Sequence, residues 1–304
     1  MTAAVGLALA SCTNGILSGG GSNNVGPGAG NGSGGAAAAA GGGTGVGGTG
    51  VAVVPPPQGF APQAAGLRRL TLPQYANSIH DLLGANINVP TDFEPDTALS
   101  GFASIGAASV SFSAHIVEQF ETAALAISKQ ALTDMTGRAA LVGCTPAGVT
   151  DDVCTKQFIQ KVGRRAWRRA LTDAEVTTYA GVAKNAQTVV NDFYGGLQYA
   201  LAGIIQSPHF LYREELGSPD PADATRVVFD DHELATRLSY FLWNSTPDDQ
   251  LLDAADGHQL SQAGGLVTQA TRLLGSDRLP GAMQSFFTEL YRLGDLDGLL
   301  QLSS

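Results

Sequence analysis

The N-terminal part of the chain contains no charged side chains. No Asp, Glu, Lys or Arg precedes Arg68, although the whole chain carries a formal net charge of −10. All of this charge lies in the remaining part, which we call the body. An acidic body argues against nucleic acid as a partner, because phosphate binding requires a basic face that releases counterions. Anionic membrane surfaces are disfavoured for the same reason.

The sequence also lacks the motifs that attach cofactors or activate nucleophiles. It has no Cys-x-x-Cys-His motif, so it does not attach a c-type haem by that route, and no cofactor is predicted. No two of its histidines have the spacing of a His-x-x-x-His pair, so no metal site is predicted. Phosphate-binding glycine loops and nucleophile elbows are missing as well. The sequence identifies no catalytic residue.

A short apolar run, residues 3–10, precedes Cys12. The run is far too short to span a bilayer, and it resembles the end of a bacterial lipoprotein signal peptide. We therefore predict that residues 1–12 are a signal segment, that Cys12 is lipidated, and that the protein contacts the membrane only through this lipid. No basic residue precedes the run, so the true start codon is expected upstream of Met1. Thr13 favours sorting to the outer membrane. The alternative is that these residues begin a disordered tail.

Residues 13–66 consist mainly of Gly, Ala, Ser, Asn and Pro, and about half of the chain's 39 glycines lie before Arg68. This stretch has too little apolar surface to offset the entropy of ordering. It is predicted to be a disordered linker with a reach of about 40 Å. A packed glycine-rich repeat is the alternative, but the stretch has no strict period.

The body shows repeated helix signals and no convincing alternation typical of strands. Thr71 is followed three residues later by Gln74, and Thr172 by Glu175, and both pairs are typical of capping boxes. Apolar residues recur at helical spacing after each pair. An all-α body with three modules is therefore predicted. The modules are residues 67–135, 140–216 and 225–304. A helix is predicted to begin at Asp230. Further helices are predicted at residues 113–133, 154–169, 192–206, 246–255, 261–274 and 279–293.

Cys144 and Cys154 enclose a segment rich in turn-forming residues. Export would expose both thiols to an oxidising compartment, so a disulfide is predicted. A zinc site lacks further ligands at the necessary spacing, and redox pairs usually have the tighter Cys-x-x-Cys spacing.

A cluster of arginines surrounds Trp167 near the end of one predicted helix. Guanidinium groups bind carboxylates and phosphates, so the cluster is a candidate anion or partner site. Arginines near a helix C-terminus also complement the helix dipole, and internal pairing with the acidic body is the favoured interpretation. A structural, hydrogen-bonded role is favoured for the histidine of the set. The candidate site comprises Arg164, Arg165, Arg168, Arg169, His209 and Arg213.

Three segments of the body resemble modules of a secreted multidomain family of planctomycetes and myxobacteria, built of domains of unknown function. The first begins Arg68-Arg69-Leu70-Thr71. The second runs from Cys154 through Arg164-Arg165-Ala166-Trp167-Arg168-Arg169 to Arg213, and the third contains Arg237-Leu238-Ser239-Tyr240. Relatives are often fused to cytochrome-c-like domains, which implies an extracytoplasmic redox context. Relatives usually continue beyond the third module, so we expect a truncated third module and missing C-terminal modules.

The sequence thus favours a non-enzymatic, exported lipoprotein of the outer membrane whose body binds a protein, a cytochrome or a polymer. The alternative is an enzyme of the envelope. It would be an oxidoreductase that works with a separate cytochrome, or a polymer hydrolase that uses His209 and the arginine cluster. Convergence of Arg164, Arg168, His209 and Arg213 on one concave surface would favour this alternative.

Overall fold

A computed structural model describes residues 66–108 and 113–293, with the side chains of residues 224 and 225 left out. All of them lie in one compact unit. The predicted lipidation site Cys12, residues 13–65 of the predicted linker and the last eleven residues of the predicted third module fall outside this part. The elements are β1 (Gly66–Arg69), α1 (Leu72–Leu83), α2 (Ala103–Gly106), α3 (Ala114–Thr133), α4 (Met135–Val142), α5 (Asp152–Trp167), α6 (Asp173–Val190), α7 (Phe193–Ile205), α8 (Pro208–Leu211), β2 (Tyr212–Glu215), β3 (Ser218–Asp220), β4 (Asp223–Val228), α9 (Asp231–Trp243), α10 (Asp249–Asp256), α11 (Gly265–Leu274) and α12 (Leu279–Leu290).

The predicted all-α class is confirmed, and local capping explains where several helices begin. The Thr71 side chain accepts a hydrogen bond from the backbone of Gln74, and the Gln74 side chain accepts one from the backbone of Thr71. The same reciprocal pair opens α6, and Asp230 and Glu233 open α9 in this way. Each box satisfies backbone N–H groups that have no partner inside the helix.

The body also contains two small antiparallel sheets, which the sequence pattern did not indicate. Strand β1 pairs with β2, and Arg68 lies opposite Arg213 in the register. Strand β3 pairs with β4. The first pair joins distant parts of the chain and consists of short segments rich in arginine and glutamate. Such strands form through tertiary contacts, and they have none of the alternation that identifies a strand locally.

Two hydrophobic clusters form the core. The larger one combines the first and second predicted modules, because α1, α3, α5 and α7 pack together around residues such as Tyr75, Phe158 and Leu201. The smaller cluster lies among α9, α10 and α11 and includes Leu251 and Leu273. Tyr240 of α9 belongs to the larger cluster, so the third module is attached to the first two through a buried side chain.

Cys144 and Cys154 form the predicted disulfide, with their Cα atoms 5.8 Å apart. The bond connects the end of α4 to the first turn of α5, and the Cys154 side chain is buried. Asp151 caps α5 and also accepts a hydrogen bond from the Ala147 backbone, which holds the intervening loop. In the described ranges no helix is both long and apolar enough to cross a membrane.

Candidate functional site

Three of the four clustered arginines have their own partners on the body surface. Arg164 contacts the carboxylates of Asp253 and Asp256 at 2.7 and 2.6 Å. Arg169 donates two hydrogen bonds to Glu175, at 2.9 and 3.0 Å, and this pairing lowers the pKa of Glu175 to about 2. The third, Arg165, donates to a backbone carbonyl of α1 at 2.8 Å.

His209 lies beside Trp167, near Arg169. Its Nδ1 atom is hydrogen-bonded to Glu214, and its ring centroid is 4.7 Å from that of Trp167. The indole N–H of Trp167 donates to the Ile204 carbonyl. The six residues of the candidate site therefore do not form a single group. Arg169 and His209 both lie beside Trp167, whereas Arg164 pairs with carboxylates of α10.

Arg168 is buried at the end of α5 and binds backbone carbonyls instead of a carboxylate. The backbone of Arg168 adopts a left-handed conformation with φ of 61°, and this conformation ends the helix. The side chain donates to the carbonyls of His209 and Tyr212, both at 2.6 Å, and to that of Phe210 at 3.3 Å. The guanidinium thus complements the carbonyl end of α8 and fixes the turn into β2.

One buried hydrogen-bonded junction connects three parts of the chain. The hydroxyl of Tyr240 lies 2.9 Å from the hydroxyl of Ser78 and accepts a longer bond from Arg168 at 3.4 Å. Ser78 belongs to α1, Arg168 ends α5 and Tyr240 belongs to α9. Because a buried polar group without a partner is costly, these residues stabilise one another.

A cleft with a volume of about 460 Å³ opens beside this junction. We call it the arginine cleft, because Arg68, Arg213 and Arg237 line it. Its walls come from β1, the start of α1, α2, β2, α9, α11 and α12. This volume is typical of small-ligand sites. Among the six predicted site residues, Arg213 alone lines the cleft.

Glu215 is the buried carboxylate of the arginine cleft, with 3% of its surface exposed. It accepts a hydrogen bond from Arg237 at 2.6 Å. Its other oxygen is 3.6 Å from Arg213, and Arg68 lies 3.4 Å away. The Glu215 carboxylate therefore lies close to three guanidinium groups, so this part of the cleft wall carries more positive than negative charge.

Arg213 is the most deeply placed of the cleft arginines, with 9% of its surface exposed. Its Nε atom is buried without a hydrogen-bond partner within the described part of the chain. Burial lowers the pKa of Arg213, Glu215 opposes this effect, and the positive charges of Arg68 and Arg168 lower it further. Arg213 stays charged, since an arginine side chain is not deprotonated in proteins. The charge lies 5.2 Å from the centre of the Tyr240 ring.

Another part of the lining is aromatic. Phe102 and Phe286 stack with ring centroids 5.8 Å apart and an interplanar angle of 26°. Glu289 accepts a hydrogen bond from the Ala103 backbone at 3.3 Å, and burial raises the pKa of this carboxyl. Gln74 lies at the start of α1 and also lines the cleft. The lining of the cleft therefore combines cationic donors with flat apolar rings.

Sequence reasoning missed most of the cleft. Arg68 and Arg237 occur in strings that carried the family resemblance, but neither was predicted as a site residue. Glu215 was not singled out at all. No local pattern marks these residues, because they meet only when β1 pairs with β2 and α9 packs beside them. In the described ranges, no three His, Cys, Asp or Glu side chains gather to hold a metal ion.

Three family models match the chain. Residues 68–133 match PSD3, described as a protein of unknown function (DUF1587). Residues 154–215 match PSD5 (DUF1595), and residues 229–301 match PSD4 (DUF1592), with the same description. The chain carries three domains of unknown function. No curated protein matches it, and no solved structure does.

The arginine cleft lies where these three domains meet. The PSD3 segment supplies Arg68 and Phe102, the PSD5 segment supplies Arg213 and Glu215, and α9 and α12 of the PSD4 segment complete the walls. The buried junction of Ser78, Arg168 and Tyr240 also takes one residue from each domain. The arginine cleft and the buried junction therefore both contain residues from all three domains.

Proposed function

We propose that the chain is an exported, lipid-anchored protein of the outer membrane whose body binds a polymer in the arginine cleft. The observation that carries the proposal is a cleft with excess positive charge at the meeting point of three domains. A concave site with a few converging polar groups and apolar walls is typical of ligand binding. The absence of any recognisable catalytic motif favours binding over hydrolysis.

The envelope setting is supported by the N-terminal sequence and the disulfide. The apolar run before Cys12 resembles a lipoprotein signal peptide, and disulfides persist in oxidising compartments outside the cytoplasm. The resemblance to a secreted planctomycete and myxobacterial family, often fused to cytochrome-c-like domains, favours an extracytoplasmic redox or polymer-handling context. A cleft with an aromatic wall suits a polymer better than a cytochrome, since a folded protein needs a broader docking surface.

The lipid anchor is tested by metabolic labelling. Cells that produce the chain are grown with labelled palmitate, and the protein is compared with its Cys12→Ala variant. We expect label in the parent protein and none in the variant, because the predicted lipid is attached through the Cys12 thiol. Equal labelling of the two proteins contradicts the anchor.

The binding role is tested by filling the arginine cleft. Ser285 of α12 lines the cleft, whereas the neighbouring Gln284 is exposed and does not. The parent protein, Ser285→Trp and Gln284→Trp are compared on an array of neutral and acidic polysaccharides. We expect the parent and Gln284→Trp to retain the same polymers, and Ser285→Trp to lose them, because an indole occupies the cavity.

The array result decides the proposal directly. Retention of no polymer by the parent protein overturns the binding role. Equal retention by Ser285→Trp and Gln284→Trp also overturns it, because the polymer is then bound elsewhere. Circular dichroism of both variants shows whether each has kept the helical fold.

A further inference from the structure

The charge in the arginine cleft is out of balance. Three arginines, Arg68, Arg213 and Arg237, line the cleft with two carboxylates, Glu215 and Glu289, and burial raises the pKa of Glu289. The whole chain is acidic, with a net charge of −10. An excess of arginines in a concave site of an acidic protein matches an anionic ligand.

Arg213 is the arginine of the cleft whose charge is least compensated. It is buried, its Nε lacks a partner among the described residues, and its distance to Glu215 is too long for a hydrogen bond. The positive charges of Arg68 and Arg168 act on it from the same neighbourhood. A bound oxyanion would offset both the desolvation of Arg213 and the repulsion among the cations.

The remaining walls indicate what carries the anion. Phe102 and Phe286 present stacked aromatic rings, and 45% of Phe286 is exposed. Ring faces are partly negative, so they attract the partly positive C–H groups of a saturated ring. Asn244 and Ser285, which also line the cleft, provide donors and acceptors for hydroxyl groups. A ring that has hydroxyls, C–H faces and an oxyanion is an acidic sugar.

We propose that the arginine cleft binds an acidic sugar unit of a polysaccharide. Arg213 and Arg237 hold its carboxylate or sulfate ester, and its ring lies against Phe102 and Phe286. This inference rests on the proposed polymer-binding function and names the class of polymer. Guanidinium groups bind carboxylate and sulfate oxygens with the same forked geometry, so the two anions are separate arms of the test.

The test measures binding of the full chain by calorimetry to polymers that differ only in charge. Polygalacturonate is compared with its methyl ester, and dextran sulfate with dextran. We expect binding to at least one charged polymer of the two pairs and at least tenfold weaker binding to its neutral counterpart, about the effect of losing a charge-assisted hydrogen bond. The charged polymer that binds identifies the anion.

The role of the cleft arginines in binding is tested with two substitutions, each of which removes one positive charge. Arg237 lines the cleft with 43% of its side chain exposed, so Arg237→Ala is expected to fold. Arg226 on β4 is exposed, lies outside the cleft and serves as the control through Arg226→Ala. Arg237→Ala is expected to weaken binding about tenfold or more, since it removes a donor and leaves Glu215 to repel the anion. Arg226→Ala is expected to bind like the parent protein.

Equal binding of charged and neutral polymers overturns this inference. Equal affinity of the Arg237→Ala and Arg226→Ala proteins also overturns it. If only neutral polymers bind and Ser285→Trp abolishes that binding, the acidic-sugar inference fails and the proposed binding function stands. If no polymer binds, both fail.

Discussion

Replacing Arg168 by methionine is expected to lower the free energy of unfolding by about 3–5 kcal/mol, because it removes two short hydrogen bonds from a charged donor, each of which contributes about 1.5–3 kcal/mol. Arg168 is 3% exposed, and its guanidinium donates to carbonyls of α8 and the following residue. Methionine has a similar length and no donor, so the substitution leaves buried carbonyls without partners. It also removes one of the two partners of the Tyr240 hydroxyl. Unfolding in urea, followed by circular dichroism, measures the change.

The control for Arg168 is Arg164→Met, one turn earlier on α5. Arg164 also makes short contacts, but its partners Asp253 and Asp256 have 73% and 39% of their side chains exposed to solvent. Ion pairs at the surface contribute little, so we expect a loss of at most about 1 kcal/mol. Similar losses for the two variants would mean that the carbonyl cluster around Arg168 has no special role in stability.

Removal of the Cys144–Cys154 disulfide is expected to cost on the order of 3 kcal/mol. The bond closes a short loop and restricts the unfolded chain, which is the main source of its stabilisation. The double variant Cys144→Ala/Cys154→Ala is compared with the parent protein in the same urea titration. We expect the midpoint to fall while the helical signal at low urea stays the same, because Asp151 still caps α5 and holds the loop.

A chemical measurement checks the same bond independently. Protein exported to an oxidising compartment is denatured, and its free thiols are counted. With the bond intact, neither Cys144 nor Cys154 reacts until a reductant is added. Two reactive thiols from these positions before reduction, or a double variant as stable as the parent, would contradict the prediction.

Helices and their first turns could be predicted because the signals are local. Thr71 with Gln74, and Thr172 with Glu175, fix a helix start within four residues, and the structure contains both boxes. The short helix α4 escaped prediction because it follows α3 with a single residue between them. That residue, Asp134, ends one helix and caps the next by accepting from Thr136 and Gly137.

The arginine cleft could not be predicted because its residues come together only through contacts between distant parts of the chain. Arg68 and Arg213 are far apart in sequence and meet in the register of β1 and β2. Helical spacing predicted a helix over residues 154–169, which includes the buried Trp167. It could not indicate that Arg168, the next residue, leaves the helix in a left-handed conformation and enters the core.

The Tyr240 junction has a consequence for how the chain can be divided. The three residues of this junction, Ser78, Arg168 and Tyr240, come from three different family matches, so each match leaves out hydrogen-bond partners of its own buried residue. A fragment cut at a family boundary would carry an unsatisfied hydroxyl or guanidinium and an open half of the cleft. The three family matches therefore cover parts of the body that share a buried junction and a cleft.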